Sequence, residues 1–303
     1  MKSTWSIGVA CLLSSLIVNG CSVKKLAVNQ LGDALSGGGD VFASDNDPEL
    51  VGDALPFSLK LMESVLAETP EHVGLLTSLT SGFTQYAYGW VQLDADEIED
   101  EDYDRAVELR ERAIKLYERA MGYGMRGLDV RHAGFSDQLR EDEEAALGRL
   151  RPDEVELLYW TGLAWAGAIS LSLDNMDLVG DLAYVEAMME RALELDPDFD
   201  DGAIQTFFVT YEVSRMNAEG DPIENATRYY HRALELSDGQ LASVYVAYAE
   251  AVAVETQNKE LFVSLLNQAL EIDVDQHPST RLSNLIYQRR AEWLLNRLEW
   301  YFL

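Results

Sequence analysis

The sequence has 303 residues and a formal net charge of −30, from 53 acidic and 23 basic side chains. Hydrophobic residues make up 48 %, which is normal for a globular protein and too high for a disordered one. The acidic excess argues against binding to nucleic acid phosphates and against adsorption to anionic lipid through a basic surface.

The first twenty residues have the pattern of a secretory signal peptide. Lys2 precedes an apolar stretch of about a dozen residues, which is too short to span a bilayer comfortably. The stretch ends in a sequence that resembles the bacterial lipobox, Val18-Asn19-Gly20-Cys21. We therefore expect residues 1–20 to be removed and Cys21 to be lipidated; an ordinary secretory signal with a chance cysteine is the alternative. Because Ser22 follows the cysteine, we expect the lipidated protein to be anchored at the periplasmic face of the outer membrane.

A flexible tether is predicted for residues 21–46, because the run 36–40 is rich in glycine. Cys21 is the one cysteine left after removal of the signal peptide, so no intramolecular disulfide is expected. Residues 47–303 are predicted to form a single helical domain.

Apolar residues recur at helical spacing from residue 47 onward, and Ala, Leu and Glu, which favour helices, dominate. No convincing run of alternating strand residues with a hairpin turn occurs. The sequence therefore predicts an all-α fold.

Several predicted helices end alike, with an alanine at the same place, namely Ala120, Ala192, Ala233 and Ala269. Their spacing resembles that of the tetratricopeptide repeat (TPR), a helix–turn–helix unit of about 34 residues in which a small residue lets paired helices pack closely. We therefore predict an α-α superhelix, a TPR-like solenoid of degenerate repeats; a generic helical bundle is the alternative. The apolar pattern of residues 281–303 predicts a C-terminal helix that caps the solenoid.

Two regions interrupt the repeat pattern. Residues 94–104 contain eight acidic side chains and are predicted to be a solvated loop that leads into a helix, with calcium capture as a second interpretation. Residues 122–153 are predicted to be a long insertion between repeats.

Two short motifs resemble ligand sites without meeting their requirements. The glycines at 122, 124 and 127 match G-x-G-x-x-G, but a dinucleotide site needs a strand before the motif, and here a helix precedes it. We interpret these glycines as a helix stop and turn. Residues 196–202 begin like a calcium-binding loop but have Asp201 where glycine is needed. We expect Asp200 or Asp201 to cap the next helix instead.

Catalytic patterns are missing from the sequence. The four histidines occur in no zinc-binding or H-E-x-x-H arrangement, and there is no G-x-S-x-G nucleophile motif. We therefore predict that the protein is not an enzyme and that it needs no metal or cofactor.

Aromatic side chains are the more informative feature. They cluster on three predicted helices, and most large rings in such repeats fill the core. Because the first helices of solenoid repeats also line the concave face, some rings are candidates for contact with an apolar ligand or a partner. The candidates are Tyr86, Tyr88, Trp90, Tyr159, Trp160, Trp165, Phe207 and Tyr211.

Several segments together resemble a known family, that of the T components (TatT) associated with tripartite ATP-independent periplasmic (TRAP) transporters. The resemblance runs from the lipobox to the C-terminus and includes residues 43–51, 54–60, 68–70, 81–88, 123–124, 158–162 and 288–295.

This resemblance implies a periplasmic lipoprotein of repeat-like helices that assembles as a homotrimer. It further implies docking of a periplasmic solute-binding protein, the P component, and passage of a hydrophobic solute along a channel or cavity. A TPR scaffold for outer-membrane or envelope assembly, which carries no solute, is the alternative function.

Overall fold

The computed structural model describes residues 28–215 and 220–302. Within these ranges every regular element is a helix and no strand occurs, which confirms the all-α prediction. The predicted signal peptide and Cys21 lie outside the described residues. No described helix is both long enough and apolar enough to cross a membrane.

The helices follow one another with short connections. In chain order they are α1 (28–36), α2 (Gly39–Ala43), α3 (Pro48–Glu68), α4 (Val73–Tyr86), α5 (Leu93–Ile98), α6 (Tyr103–Arg131), α7 (Phe135–Glu141), α8 (Glu143–Leu147), α9 (Val155–Ser170), α10 (Met176–Gly180), α11 (Leu182–Leu195), α12 (Phe199–Ser214), α13 (Pro222–Leu236), α14 (Ala242–Tyr248), α15 (Lys259–Leu270), α16 (Arg281–Asn296) and α17 (Leu298–Tyr301). Two π-helical segments, Ala87–Gln92 and Ala249–Ala253, continue α4 and α14.

Acidic and amide side chains begin many of these helices. Asp47 Oδ1 accepts a hydrogen bond from the Leu50 amide at 3.0 Å, and Asp102 does the same for Arg105. Such caps satisfy amide groups that have no partner inside the helix. Part of the acidic excess therefore has a local structural role.

The N-terminal segment differs from the flexible tether that its glycines predict. Residues 28–43 are mostly helical, and Val28, Leu35 and Phe42 pack on the core formed by α3, α4 and α6. Glycine adopts the backbone conformation of a turn easily, and residues 37–38 form the turn between α1 and α2. The apolar residues on either side of this turn hold the segment on the core, which its glycine content does not indicate.

The four recurrent alanines lie where helices cross. Ala120, Ala192, Ala233 and Ala269 are each fully buried, at the inner faces of α6, α11, α13 and α15. A small side chain at these positions allows neighbouring helices to approach closely, as the sequence pattern indicates.

The glycines at 122, 124 and 127 do not end a helix, so the stop-and-turn interpretation is wrong. All three lie within α6, which continues to Arg131. A Cβ atom on Gly124 would overlap Thr161 Oγ1, and one on Gly127 would lie 3.0 Å from Leu157 Cδ2. These two glycines therefore form a notch in α6 that receives α9. Residues 122–153 are accordingly the end of α6 followed by α7 and α8.

The C-terminal helix α16 contacts both ends of the chain. Its residue Leu282 belongs to the core of the N-terminal helices, whereas Ala291 and Leu294 belong to the core built by α13, α14 and α15. Arg281 Nη1 also donates a hydrogen bond to the Ser44 carbonyl at 2.7 Å. The predicted terminal helix is present, and it closes the fold by joining its first and last helices.

The acidic segment 94–104 is partly helical and pairs with arginines, which contradicts the prediction of a solvated loop. Three arginines of the C-terminal region face α5 and the turn after it: Arg289 pairs with Asp94 and Glu97, Arg290 with Asp96, and Arg297 with Asp100. Arg110 of α6 pairs with Asp96 and Glu99. The segment thus holds α16 against the N-terminal helices.

Candidate functional site

The three aromatic candidates around the first π-helical segment point in two directions. Tyr86 and Trp90 stack at a centroid distance of 6.1 Å, and Trp90 Nε1 donates to the Pro48 carbonyl at 2.8 Å. These two rings fix α3 to the segment after α4. Tyr88 lies midway between them in the sequence and so faces the other side of the helix, where its ring lies 5.5 Å from that of Tyr287.

Tyr88 and Tyr287 belong to a polar group deep in the molecule. Arg290 donates to Glu250 Oε1 at 2.7 Å and to Asp96 Oδ2 at 3.0 Å, close to both phenols. Burial raises the pKa of both phenols, yet each ring keeps some accessible surface. We call the partly accessible surface of these two residues the aromatic recess. Tyr287 is not among the sequence candidates, because a single tyrosine on the C-terminal helix gives no aromatic cluster to detect.

The second group of candidates divides between core and recess. Trp165 is 2 % exposed and stacks on Tyr184 at 5.9 Å, so its place is in the core. Tyr159 and Trp160 lie edge to face at 5.2 Å, and Tyr159 also meets Phe199 of α12 at 5.3 Å. Trp160 and Phe199 are partly exposed. Phe199 is a neighbour that the sequence did not single out.

The third group lies on α12, and its tyrosine contacts charged residues. Phe207 stacks on Tyr211 at 5.4 Å, and the Tyr211 hydroxyl donates to Glu186 Oε2 at 2.8 Å. Arg215 lies over the Tyr211 ring at 5.8 Å from its centroid. The eight candidates thus lie in three groups of ring contacts, and Tyr287, which contacts Tyr88, also lies close enough to raise the pKa of Tyr159.

Two solvent-exposed carboxylates, Glu156 and Asp200, lie beside the second group. Burial raises the pKa of Glu156 and of Asp200, and the charge of Asp200 raises that of Glu156 further. No described cation pairs with either group. Asp200 also has a left-handed backbone, with φ 47°, followed by Asp201 at 51° and Gly202 at 93°. Neither aspartate accepts a capping hydrogen bond, so the prediction that one of them caps α12 is wrong.

Asp200→Asn is expected to stabilise the protein slightly at neutral pH. The amide carries no charge to desolvate and tolerates the left-handed backbone, and after discounting for solvent exposure we expect a gain of about 0.5 kcal/mol. Because the folded-state pKa of Asp200 is raised, the penalty of the wild-type carboxylate disappears as the pH falls through that pKa. Thermal denaturation of both proteins at pH 7.5 and pH 4 tests this; an equal difference at the two pH values would contradict it.

A cavity of about 370 Å³ adjoins Glu156. It lies between the α1–α2 turn, the start of α4 and the start of α9, and its charged lining is Asp33, Asp153, Glu154, Glu156 and Arg131. Glu154 and Asp153 are paired, with His132 at 2.8 Å and Arg131 at 3.4 Å respectively. Among the described residues no group of three or more histidine, cysteine, aspartate or glutamate side chains is arranged to hold a metal ion.

The described residues thus form an all-helical molecule whose aromatic candidates are partly accessible at several positions. The chain matches the family described as TRAP transporter T-component over residues 44–302, and it belongs to that family. Membership in this family implies that the protein is an accessory component of a TRAP transporter. A protein of Treponema pallidum (strain Nichols), named only as uncharacterized, is 27 % identical over 318 residues, covering 98 % of each chain.

Proposed function

We propose that the protein is a lipid-anchored, periplasm-facing T component that docks a solute-binding protein, the P component, and helps to pass a hydrophobic solute. Family membership over residues 44–302 is the observation that carries this proposal. The recess beside Tyr88 and Tyr287, together with the partly exposed rings of Trp160 and Phe199, supports it. Aromatic surface that is removed from bulk water favours an apolar solute by about 25 cal/mol per Å² buried.

The architecture that we propose is a TPR-like superhelix closed by its C-terminal helix. Buried alanines at the crossings of successive helices support a repeat origin. The contacts of α16 with both ends support closure into a ring, which would surround the recess.

The anchor that we propose is acyl chains on Cys21. The lipobox-like sequence before this cysteine supports it, and several acyl chains together would hold the protein at the outer membrane. Intact mass measurement of the membrane-extracted protein tests the anchor, since a Cys21→Ala protein must lose both the acyl mass and the membrane fraction.

A homotrimer is supported by an apolar stripe on α3. Leu50, Phe57 and Leu61 lie on one face of this helix, and Phe57 is 74 % exposed. Exposed apolar surface of this kind is typical of contacts between copies of a chain.

Phe57→Ser is therefore expected to dissociate the trimer, because it removes the largest ring from the stripe. Native mass spectrometry of the chain without its lipid, at low micromolar concentration, measures the subunit count. Trp300→Ser is the matched control, since Trp300 is 72 % exposed and lies on α17 instead. A monomeric wild type, or a trimer that survives Phe57→Ser, would contradict the prediction.

Docking is tested by co-purification of the tagged chain with the P component encoded beside it. Capture of that protein, and a lipophilic solute retained by the pair, are the expected results. Capture of outer-membrane or envelope assembly proteins with no solute-binding protein would favour the scaffold function instead.

A further inference from the structure

Arginine and tryptophan side chains alternate along the C-terminal helices α16 and α17. The four residues are spaced three, four and three positions apart, as on one helix face, and are Arg290, Trp293, Arg297 and Trp300. The guanidinium carbons of Arg290 and Arg297 each lie 4.5 Å from the centre of the Trp293 ring. That of Arg297 also lies 5.9 Å from the centre of the Trp300 ring. We call these four residues the Arg–Trp ladder.

The Arg–Trp ladder runs from the interior of the protein to its surface. Arg290 forms ion pairs with two carboxylates inside the fold, and Trp293 is partly buried. Trp300, at the other end, is 72 % exposed. A tryptophan ring attracts a cation to its face, and Trp293 is flanked by two arginines. Among the described residues Trp300 has only Arg297 as such a neighbour, so one face of its ring is open to a further cation.

The residues that follow Trp300 hold it in place at the surface. The Tyr301 ring lies 5.6 Å from that of Phe262, and Phe302 is buried against the same ring at 5.1 Å. Gln257 Nε2 donates a hydrogen bond to the Tyr301 carbonyl at 3.1 Å. A large exposed ring whose position is already set loses little conformational entropy when a partner binds, and tryptophan is enriched at the energetic centres of protein interfaces.

Acidic side chains lie next to the exposed end of the Arg–Trp ladder. Arg297 pairs with Asp100 at 2.6 Å, so the charge of this arginine is already compensated. The exposed acids that follow within four residues of this pair are Glu101, Asp102 and Asp104. Tyr103, which is 63 % exposed, lies among them. Four residues of chain span at most about 14 Å, so the surface near Trp300 combines exposed rings with an acidic rim.

We propose that Trp300 is the centre of a docking surface for a basic protein, in which an arginine or lysine of the partner occupies the open face of the ring. That cation continues the alternation of the Arg–Trp ladder, and the acidic rim attracts further basic side chains around it. A large ring at the centre and complementary charge at the edge are the features of a specific interface. The inference rests on the proposed function in one respect, namely that the solute-binding protein is the partner.

Other occupants fit this surface less well. A nucleic acid or an anionic lipid surface would meet the acidic rim, and nearby cations are already paired, Arg105 with Glu108 and Lys259 with Glu299. A second copy of this chain would bring its own charge of −30 to the acidic rim. A basic protein gains from both the ring and the rim.

The first test measures binding of the solute-binding protein encoded beside this chain. Isothermal titration calorimetry with the chain lacking its lipid gives the affinity. Trp300→Ser is expected to weaken the complex about thirtyfold, as for a central tryptophan of an interface, and Trp300→Phe is expected to weaken it less because a ring face remains. Phe57→Ser is the matched control, since Phe57 is an equally exposed ring on α3 and is expected to leave the affinity per chain unchanged.

The second test needs no partner protein. Tetra-arginine, tetra-lysine and tetra-glutamate peptides of equal length are titrated into the wild type and Trp300→Ser at low salt. We expect tetra-arginine to bind the wild type about fivefold more tightly than the variant, and more tightly than tetra-lysine, because a guanidinium stacks on a ring better than an ammonium does. Tetra-glutamate is expected not to bind. Thermal denaturation of each variant shows that it is folded.

The outcomes separate this inference from the proposed function. Equal binding of the solute-binding protein, or of tetra-arginine, by the wild type and Trp300→Ser overturns the docking surface and leaves the proposed function in place. A lower subunit count for Trp300→Ser in native mass spectrometry would place the ring between copies of this chain and also overturns it. If the solute-binding protein does not bind but tetra-arginine binds through Trp300, the basic docking surface is upheld and the proposed transport function is removed.

Discussion

Gly124→Ala is expected to destabilise the protein by about 3 kcal/mol, although alanine favours helices. The new methyl group would occupy the position of Thr161 Oγ1, with Thr161 Cβ and Cγ2 only 2.9 Å away. Thr161 is fully buried and its hydroxyl donates to the Leu157 carbonyl at 2.5 Å, so it cannot turn aside. The overlap between the new methyl group and Thr161 is relieved only if α6 and α9 move apart. Urea denaturation followed by circular dichroism measures the loss.

Gly122→Ala is the matched control for this prediction. Gly122 lies in the same helix two residues earlier, is exposed, and has no atom within 4 Å of the added Cβ. Here the helix preference of alanine acts alone and is expected to stabilise by about 0.5–1 kcal/mol. If Gly124→Ala lowers the free energy of unfolding and Gly122→Ala raises it, the notch is established. Changes of the same sign would show that α9 does not approach α6 as described.

Arg290→Met is expected to cost about 2 kcal/mol, because it leaves Glu250 without its cation and Asp96 with Arg110 alone. The guanidinium also lies 4.5 Å from the centre of the Trp293 ring, on which Arg297 lies at the same distance. Methionine preserves most of the apolar stem, so the change reports mainly on the charge. The loss is smaller than for a fully buried pair because Glu250 is partly exposed. Urea denaturation at low salt provides the measurement.

Arg105→Met tests whether the position of the ion pair matters. Arg105 and Glu108 form an exposed pair within α6, at 2.8 Å. Exposed pairs of this kind contribute little, and we expect a change below about 0.5 kcal/mol. If Arg290→Met and Arg105→Met lowered the free energy of unfolding by the same small amount, the contact between α16 and the acidic segment would have no stabilising role.

Local patterns predicted the helices well, because each helix carries its own evidence in the spacing of its apolar residues. The buried alanines illustrate this, since a small residue that recurs near helix ends indicates close packing even before the neighbouring helix is known. The helix α16 was likewise visible from Leu282, Leu285 and Leu294.

What the sequence left open depends on partners that are distant along the chain. Gly124 can end a helix or receive another one, and the choice depends on Thr161 in α9. Asp94 and Asp96 look solvated until arginines nearly two hundred residues later are placed beside them. Phe199 was hidden for the same reason: Tyr159 was a candidate, but its contact with Phe199 belongs to the tertiary fold.

The double attachment of α16 has a consequence for how the protein matures. In an open array of repeats, each unit can fold on its predecessor as it emerges, and a shortened chain keeps most of its order. Here the core of the first helices includes Leu282, so it is completed by a residue that lies far along the chain. Folding must then wait for a contact of very large sequence separation, which slows it relative to other helical proteins. A chain that stops before α16 would expose the surface that this helix covers.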